Sequence, residues 1–476
     1  MYRRNISHLL YIAAGILGLF IVYESWLKPV YVRPPASPPT ENESPVNNDP
    51  APQPRADKLL DPTPKQSRVI DPGNLPGTKS QEALAVIRNE IEKGNVKEAE
   101  GMLRSLPPAM HSDALIRPYV AILWNNLGIE QEKHDGTKVS IHAFKTAAAL
   151  DANNTVIQMN LAHAYWEQRD PAMTTEYLQR LITLAPNEPF PHLAIADLLQ
   201  ERDRLSEAAD HLDQAIKHAG NDPSIQSYLH TVSAKIRRTE QAEGRLNSRT
   251  STHFMVKYDG NVDEDTWTVA LEILEEAYRE IGQQLGHFPS KPIVVVLNAK
   301  GTFQTITGSP AWADGLFDPI LGRIQVPTQG ALTDHAWLKR VLRHEFVHAL
   351  IRDLQGLNTT ALPTWLNEGL AMQLSNDHWT NLEQLNQETV PVIPLPALEG
   401  SWEGLSSEAA SAAYLEANSA ARYLIDRYGM HEIRQLLARL KQKQPLAVAM
   451  QSQLSLSYDQ FQSRWLEQLQ EERKKG

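Results

Sequence analysis

The sequence predicts an α+β chain in three parts: an N-terminal membrane anchor, an all-α repeat array, and a C-terminal domain with a small mixed sheet and a helical end. Three observations carry that reading. Residues 9–23 form an uninterrupted apolar run; matching apolar and small residues recur every 34 positions between 121 and 222; and β-rich runs at 252–258 and 292–297 flank a stretch of helical periodicity. After about 80 residues of anchor and tether are set aside, the rest of the 476-residue chain suffices for a repeat array and one further domain. The boundaries expected are 1–28 for a cytoplasmic tip and anchor, 29–78 for a tether, 79–238 for the repeats, 239–250 for a linker and 251–476 for the C-terminal domain.

Residues 6–27 approach the roughly 20 apolar residues that span a bilayer. Tyr23-Glu24-Ser25-Trp26 follows Val22 where a cleavable signal would carry small residues, so the run reads as an uncleaved signal anchor. Arg3, Arg4 and the terminal amine favour an N-terminus inside, against the weaker pull of Lys28 and Arg33 on the far side. The stretch 29–76 holds 13 of the 31 prolines and few large apolar residues, which predicts an extended tether too poor in hydrophobic surface to pack. The chain has no cysteine, which excludes disulfides, a lipoprotein anchor and thiol catalysis. Anchor, tether and repeats together suit a single-pass protein of the bacterial inner membrane, its soluble part periplasmic or otherwise extracytoplasmic.

In the repeat region Leu127-Gly128, Leu161-Ala162 and Ile195-Ala196 share one phase, as do Phe144, Leu178 and Leu212, and Ala147, Leu181 and Ala215. The second unit ends in Leu184-Ala185-Pro186-Asn187. The pattern resembles the tetratricopeptide repeat, with a weaker unit at 81–106, containing Gly94 and Ala99, as its cap. That resemblance implies stacked helix pairs with a concave groove for a protein or peptide partner, or alternatively a spacer that binds nothing. Residues 235–249, polar and rich in arginine, read as a helix tail and linker. They are not read as a nucleic-acid patch, because 57 Asp plus Glu against 46 Lys plus Arg give a net charge of −11, which repels phosphate.

The chemistry is written in His344-Glu345-Phe346-Val347-His348, with nineteen residues between His348 and Glu368. Residues four apart on a helix lie one above the other, so His344 and His348 can present two imidazoles to one ion, while Glu345 is placed to reach water beside it. Thr333 as N-cap and Gly356 as stop predict a helix over 334–354, with Trp337, Val341, His344 and His348 on one stripe. A second helix opening near Pro363 or Thr364 puts Glu368 about one turn in. Three ligands with an open fourth position are the set a catalytic Zn2+ needs, and Glu345 would serve as general base in hydrolysis of an amide bond.

These residues, with Asn367-Glu368-Gly369 around the third ligand, resemble the gluzincin metallopeptidases, in particular the bacterial peptidase MA-like domains, over roughly residues 250–470. The resemblance implies zinc on His344, His348 and Glu368 with Glu345 as base. One position departs from it: where the thermolysin branch has an aspartate four residues after the third ligand, this chain has Met372, so any carboxylate orienting a zinc histidine must come from elsewhere. The family also implies an oxyanion donor from a later element, for which Tyr414 is the candidate. The alternative for Tyr414, at the opening of an apparent helix running to Gly429, is an ordinary packed residue; Tyr423 and Tyr428 read as core.

Upstream, 264–285 has helical periodicity, and residues 322–326 alternate before stopping at Pro327. That last strand would either form the cleft rim and pair with an extended substrate backbone, or be an edge strand without a ligand. Trp312, Gly315, Phe317 and Asp318 shape the cleft or pack. Residues 432–440 and 458–473 have apolar residues at helical spacing. The function expected is a membrane-anchored zinc peptidase acting on protein substrates. The alternatives are a non-catalytic envelope scaffold that only binds proteins, and hydrolysis of a non-protein amide such as a cell-wall peptide.

Overall fold

The computed structural model describes residues 78–475 except 169, 221–222, 261–264, 309–313, 357–361, 377–391, 403–404, 406 and 443. The anchor and most of the tether expected over residues 1–78 lie outside the described residues. Among the described residues no helix is long and apolar enough to cross a membrane. The described chain falls into two compact units that divide at Arg237 and Arg238.

The first unit is helical: α1 (Thr78–Glu92), α2 (Val96–Arg104), α3 (Pro108–Ser112), α4 (Arg117–Asp135), α5 (Thr137–Leu150), α6 (Thr155–Glu167), α7 (Pro171–Leu184), α8 (Pro189–Gln200), α9 (Leu205–His218) and most of α10 (Pro223–Glu243). Helices α4 and α5, α6 and α7, and α8 and α9 pack as consecutive pairs. Local chemistry sets their starts. The Asn154 side chain accepts from the Ile157 amide and Asp170 from the Met173 amide, and Pro171 and Pro189 stand in first turns that need no donor there. The positions 34 apart all lie in the core, with Leu127, Leu161, Phe144, Leu178, Ala147, Leu181 and Ala215 fully buried and Ile195 and Leu212 nearly so.

Residues 239–250, expected as a linker, carry the last turns of α10 and the first strand of the second unit. That unit holds β1 (Asn247–Thr250), β2 (Phe254–Tyr258), α11 (Thr266–Leu285), β3 (Ile293–Ala299), α12 (Lys300–Thr307), β4 (Leu316–Asp318), β5 (Arg323–Thr328), α13 (His335–Gln355), α14 (Thr364–Leu374), α15 (Ser407–Lys441), α16 (Leu446–Leu454) and α17 (Tyr458–Lys475). The five-stranded sheet has the order β1-β2-β3-β5-β4, with β2, β3 and β5 parallel and the outer strands β1 and β4 antiparallel to their neighbours. Central β3 is buried along six of its seven residues, as a parallel strand covered on both faces must be.

This order corrects the expectation for the strand ahead of the metal helix. Strand β5 lies between β3 and β4 and is paired by β4 over Arg323–Gln325, so it is not the edge strand of the sheet. The edge belongs to β4, three residues long. Nor does β5 stop at Pro327, which stays in register with Asn298 of β3. The β4 pairing extends only to Gln325, so Pro327 has no β4 partner waiting for an amide, and a missing N–H is tolerated there.

Helix α13 packs against β4, β5 and α11, and α11 also covers β2. Phe254 of β2 meets Phe346 of α13 at 5.6 Å between ring centroids, which locks the helix onto the sheet. At the helical end the Trp365 indole donates to the Tyr458 hydroxyl at 2.9 Å and stacks on Phe461. Helix α15 begins at Ser407, two turns before Tyr414, and is broken at Gly429, where φ is 81°. Helices α14 and α15 cross closely at Gly369: a Cβ there would lie 2.3 Å from the Ala417 carbonyl oxygen. The glycine after Glu368 therefore lets the two helices touch, which seats the carboxylate beside the helix that carries Tyr414.

Candidate metal centre

Helix α13 starts at the residue after Asp334, whose carboxylate accepts from the Ala336 amide at 2.8 Å and the Trp337 amide at 3.4 Å. Thr333, the expected cap, instead uses its hydroxyl to accept from the Gln329 amide at 2.9 Å. Leu338, Val341, Leu342, Phe346, Val347 and Leu350 are all fully buried, so the helix runs through the core. His344, Glu345 and His348 are buried with them. Helix α14 opens after Pro363, and Glu368 sits one turn in, buried as well.

The three expected ligands converge. His344 Nε2 and His348 Nε2 are 3.1 Å apart, and each is 3.4 Å from Glu368 Oε2. A tetrahedral ion with bonds of ~2.0–2.1 Å has ligand atoms roughly 3.3 Å from one another, so the triangle has the edge lengths such an ion requires. The Glu368 oxygen approaches both imidazoles without the alignment of a hydrogen bond, and it and the Nδ1 atoms of His344 and His348 are buried with no hydrogen-bond partner. Buried polar atoms left in that condition cost stability, and a shared cation is the group that would satisfy the convergent ones. Burial pushes the Glu368 carboxyl up, but His348 and His344 outweigh it and hold the group down at about 2. Burial likewise pushes His348 down, and the Glu368 carboxylate reverses this and lifts it to about 9. The cluster thus selects positive charge, and its donor set of two imidazoles and one carboxylate fits Zn2+.

Glu345 lies at the side of this triangle, with Oε1 buried and unpartnered. Burial above all, and then the Glu368 charge, raise its pKa against the lowering effects of His344, His348 and a hydrogen bond from the Phe317 amide. Its position depends on Gly315, just before β4. A Cβ on Gly315 would lie 2.6 Å from Val341 Cγ1 and 3.2 Å from both Cγ and Oε1 of Glu345. Gly315→Ala is therefore expected to displace the base while leaving the ligands in place. Turnover should fall on the order of 10²-fold, the usual consequence of a misplaced catalytic group, with zinc content unchanged; kcat measured beside metal analysis checks this.

Met372, at the position of the family's aspartate, is an apolar core residue. Among the described residues neither metal-site histidine has a well-aligned hydrogen-bond partner at Nδ1. Asn367, next to the third ligand, acts on His348 and favours its protonated form. Tyr414 is fully buried and lies edge-on to Trp402 at 4.9 Å. Burial, then the charges of Glu368 and Glu345, raise its pKa well above the ordinary value, so it is near both carboxylates and keeps its proton. Tyr423 packs in the core against Phe461, as expected, and Tyr428 is packed at its margin. Trp312 lies outside the described residues, while Phe317 and Asp318 form β4.

One supporting residue was not foreseen. Arg343, buried beside His344, donates from Nε to the Ser375 carbonyl at 3.1 Å and pairs with Glu280 at 2.8 Å. It ties the metal helix to the end of α14. Apart from the motif's own His344, Glu345 and His348, Arg343 is the one polar side chain between Val341 and Ile351, which is the signal the sequence offers.

A buried His-His-Glu cluster with a carboxylate beside it, built from two helices of which one packs against a mixed sheet, fits a metallopeptidase-like domain. In agreement, residues 275–471 match the family model of the Peptidase MA superfamily. The match includes all four motif residues and Tyr414 and supports a gluzincin-type peptidase-like domain. No curated protein matches the chain.

Proposed function

We propose that this chain is a zinc-dependent peptidase of gluzincin type that hydrolyses peptide bonds of protein substrates. The observation that carries the reading is the meeting of His344, His348 and Glu368 around one point, with the Glu345 carboxylate beside it. Zinc held by those three would supply Lewis acidity toward a scissile carbonyl and acidify water at neutral pH. Glu345 takes the proton of the attacking water on its open oxygen and returns it to the leaving amine. Tyr414, kept protonated, donates to the oxyanion. The Phe317 amide of β4 bonds to Glu345, so the β4 backbone lies at the reacting carboxylate and its outer side is placed to align an extended substrate.

Around this core we place the remaining expectations: an anchor in residues 6–27, an extracytoplasmic soluble part, and tetratricopeptide repeats that recruit substrate or a partner protein. The support for the repeats is the burial of the positions spaced 34 apart within consecutive helix pairs. Tyr414→Phe is expected to lower kcat about 10²–10³-fold, the range for loss of one oxyanion donor, with KM nearly constant; steady-state kinetics on any cleaved peptide reads the split. The whole reading is tested by incubating the zinc-loaded full chain with a proteome-derived peptide mixture and identifying new termini by mass spectrometry. Cleavages that require zinc are expected. Their absence under all loading conditions would leave a domain that binds without hydrolysis.

A further inference from the structure

Away from the peptidase unit, three histidines come together on one helix pair. His192 of α8 and His211 of α9 bring their Nδ1 atoms to 3.1 Å, with ring centroids 5.3 Å apart. His218, seven residues beyond His211 and therefore on the same face of α9, places its ring 6.3 Å from that of His192. His192 is buried, whereas His211 and His218 are half-buried, so the file of imidazoles is anchored at its centre and open to solvent along α9.

We propose that His192 and His211, completed by His218, form a second site for a divalent transition metal of the zinc, nickel and copper class. Imidazole nitrogen is the ligand these ions share. The 3.1 Å separation equals that between the two histidine nitrogens of the catalytic cluster and is close to the roughly 3.3 Å edge of a tetrahedral zinc site. Without an ion, that contact holds one proton shared between two Nδ1 atoms, one donating and one accepting. An ion takes both Nδ1 lone pairs, and the shared proton moves to the Nε2 of the ring that carried it, the tautomer a metallated Nδ1 requires. In the observed conformation His218 does not converge with the other two nitrogens; a rotation of its half-buried side chain would be needed to bring the third ligand, with water completing the shell.

The electrostatic setting favours this. Burial, then His211 and His218, push His192 down to about 4, so the ring is neutral at physiological pH and keeps one nitrogen lone pair for an ion. Burial also lowers His211, while Asp210 and Glu207 act on it in the opposite sense, as anions that would equally favour a cation. Competition from protons at neutral pH is correspondingly small.

The test is zinc stoichiometry of the full chain by equilibrium dialysis and elemental analysis. Wild type is expected to bind two ions, H192A/H211A one, and H344A/H348A one, with peptidase activity preserved in H192A/H211A. Because truncating buried His192 can loosen α8, His211→Asn serves as the second variant. It changes a half-exposed ring only, and it should lose the same ion with an unchanged circular-dichroism melting profile in the presence of chelator. Zinc should also raise the melting temperature of H344A/H348A but not of that variant carrying H211N as well. Equal zinc content in wild type, H192A/H211A and H211N, or no zinc on H344A/H348A, would overturn the proposal and leave a hydrogen-bonded histidine pair.

Discussion

Glu345→Gln is expected to bind zinc as wild type does and to lose hydrolysis by at least 10²–10⁴-fold, the range contributed by a general base. Glutamine keeps the shape of the side chain and an oxygen able to accept from the Phe317 amide. It removes the one property the reaction needs, a carboxylate whose second oxygen stands buried and unpartnered beside the metal ligands. Because Glu345 belongs to neither the ligand triangle nor an ion pair, metal content and folding should be untouched. Zinc analysis, thermal unfolding and kcat/KM on one preparation separate these outcomes. Full activity in the variant would remove the catalytic role of Glu345, and coincident loss of zinc would make it a structural member of the site.

The second large effect is expected from Glu368→Ala. Glu368 is the only carboxylate in the His-His-Glu cluster, and it comes from a different helix than the two imidazoles. Without it, His344 and His348 remain a half-set on α13, and zinc affinity should fall well beyond the ~10–100-fold that loss of a supporting partner costs. Activity at ordinary zinc concentrations should vanish with it. The opposing pKa displacements of His348 and Glu368 arise largely from each other, so the substitution also removes the strongest influence favouring protonation of His348 in the metal-free chain. Competition with a zinc indicator measures the affinity change. A change smaller than tenfold would show that Glu368 is no ligand.

Much of the centre was legible in the sequence because its signals are local. Histidines four apart, a helix stop at Gly356 and a helix opening after Pro363 all follow from chain chemistry over a few residues. The cap was misplaced by one residue because Thr333 and Asp334 are both good N-caps; the Thr333 hydroxyl is taken by the Gln329 amide, a contact no periodicity encodes. The repeat phase was legible for a related reason, since a 34-residue recurrence of small and apolar side chains reports helix-pair packing.

What was not legible depends on pairing across distance. Strand β4 is three residues long, too short for an alternating pattern, and so β5 was given the edge that β4 holds. The start of α15 was hidden by Ser407-Glu408-Ala409-Ala410-Ser411-Ala412-Ala413, which has no large apolar residue to mark a face. Residues 239–250 conceal a strand that is fully exposed and so carries no hydrophobic signature. The closeness of Gly315 to Glu345 and of Gly369 to Ala417 is likewise invisible in one dimension, although Gly315 and Phe317 already stood among the residues expected to shape or pack the cleft.

The convergence of three side chains on one ion is tested most directly by zinc-edge anomalous diffraction from crystals of the zinc-loaded chain. The expected result is a peak ~2.0–2.2 Å from His344 Nε2, His348 Nε2 and a Glu368 carboxylate oxygen together. Zinc-loaded crystals with no peak at that point, or with Glu368 turned away from both imidazoles, would contradict it.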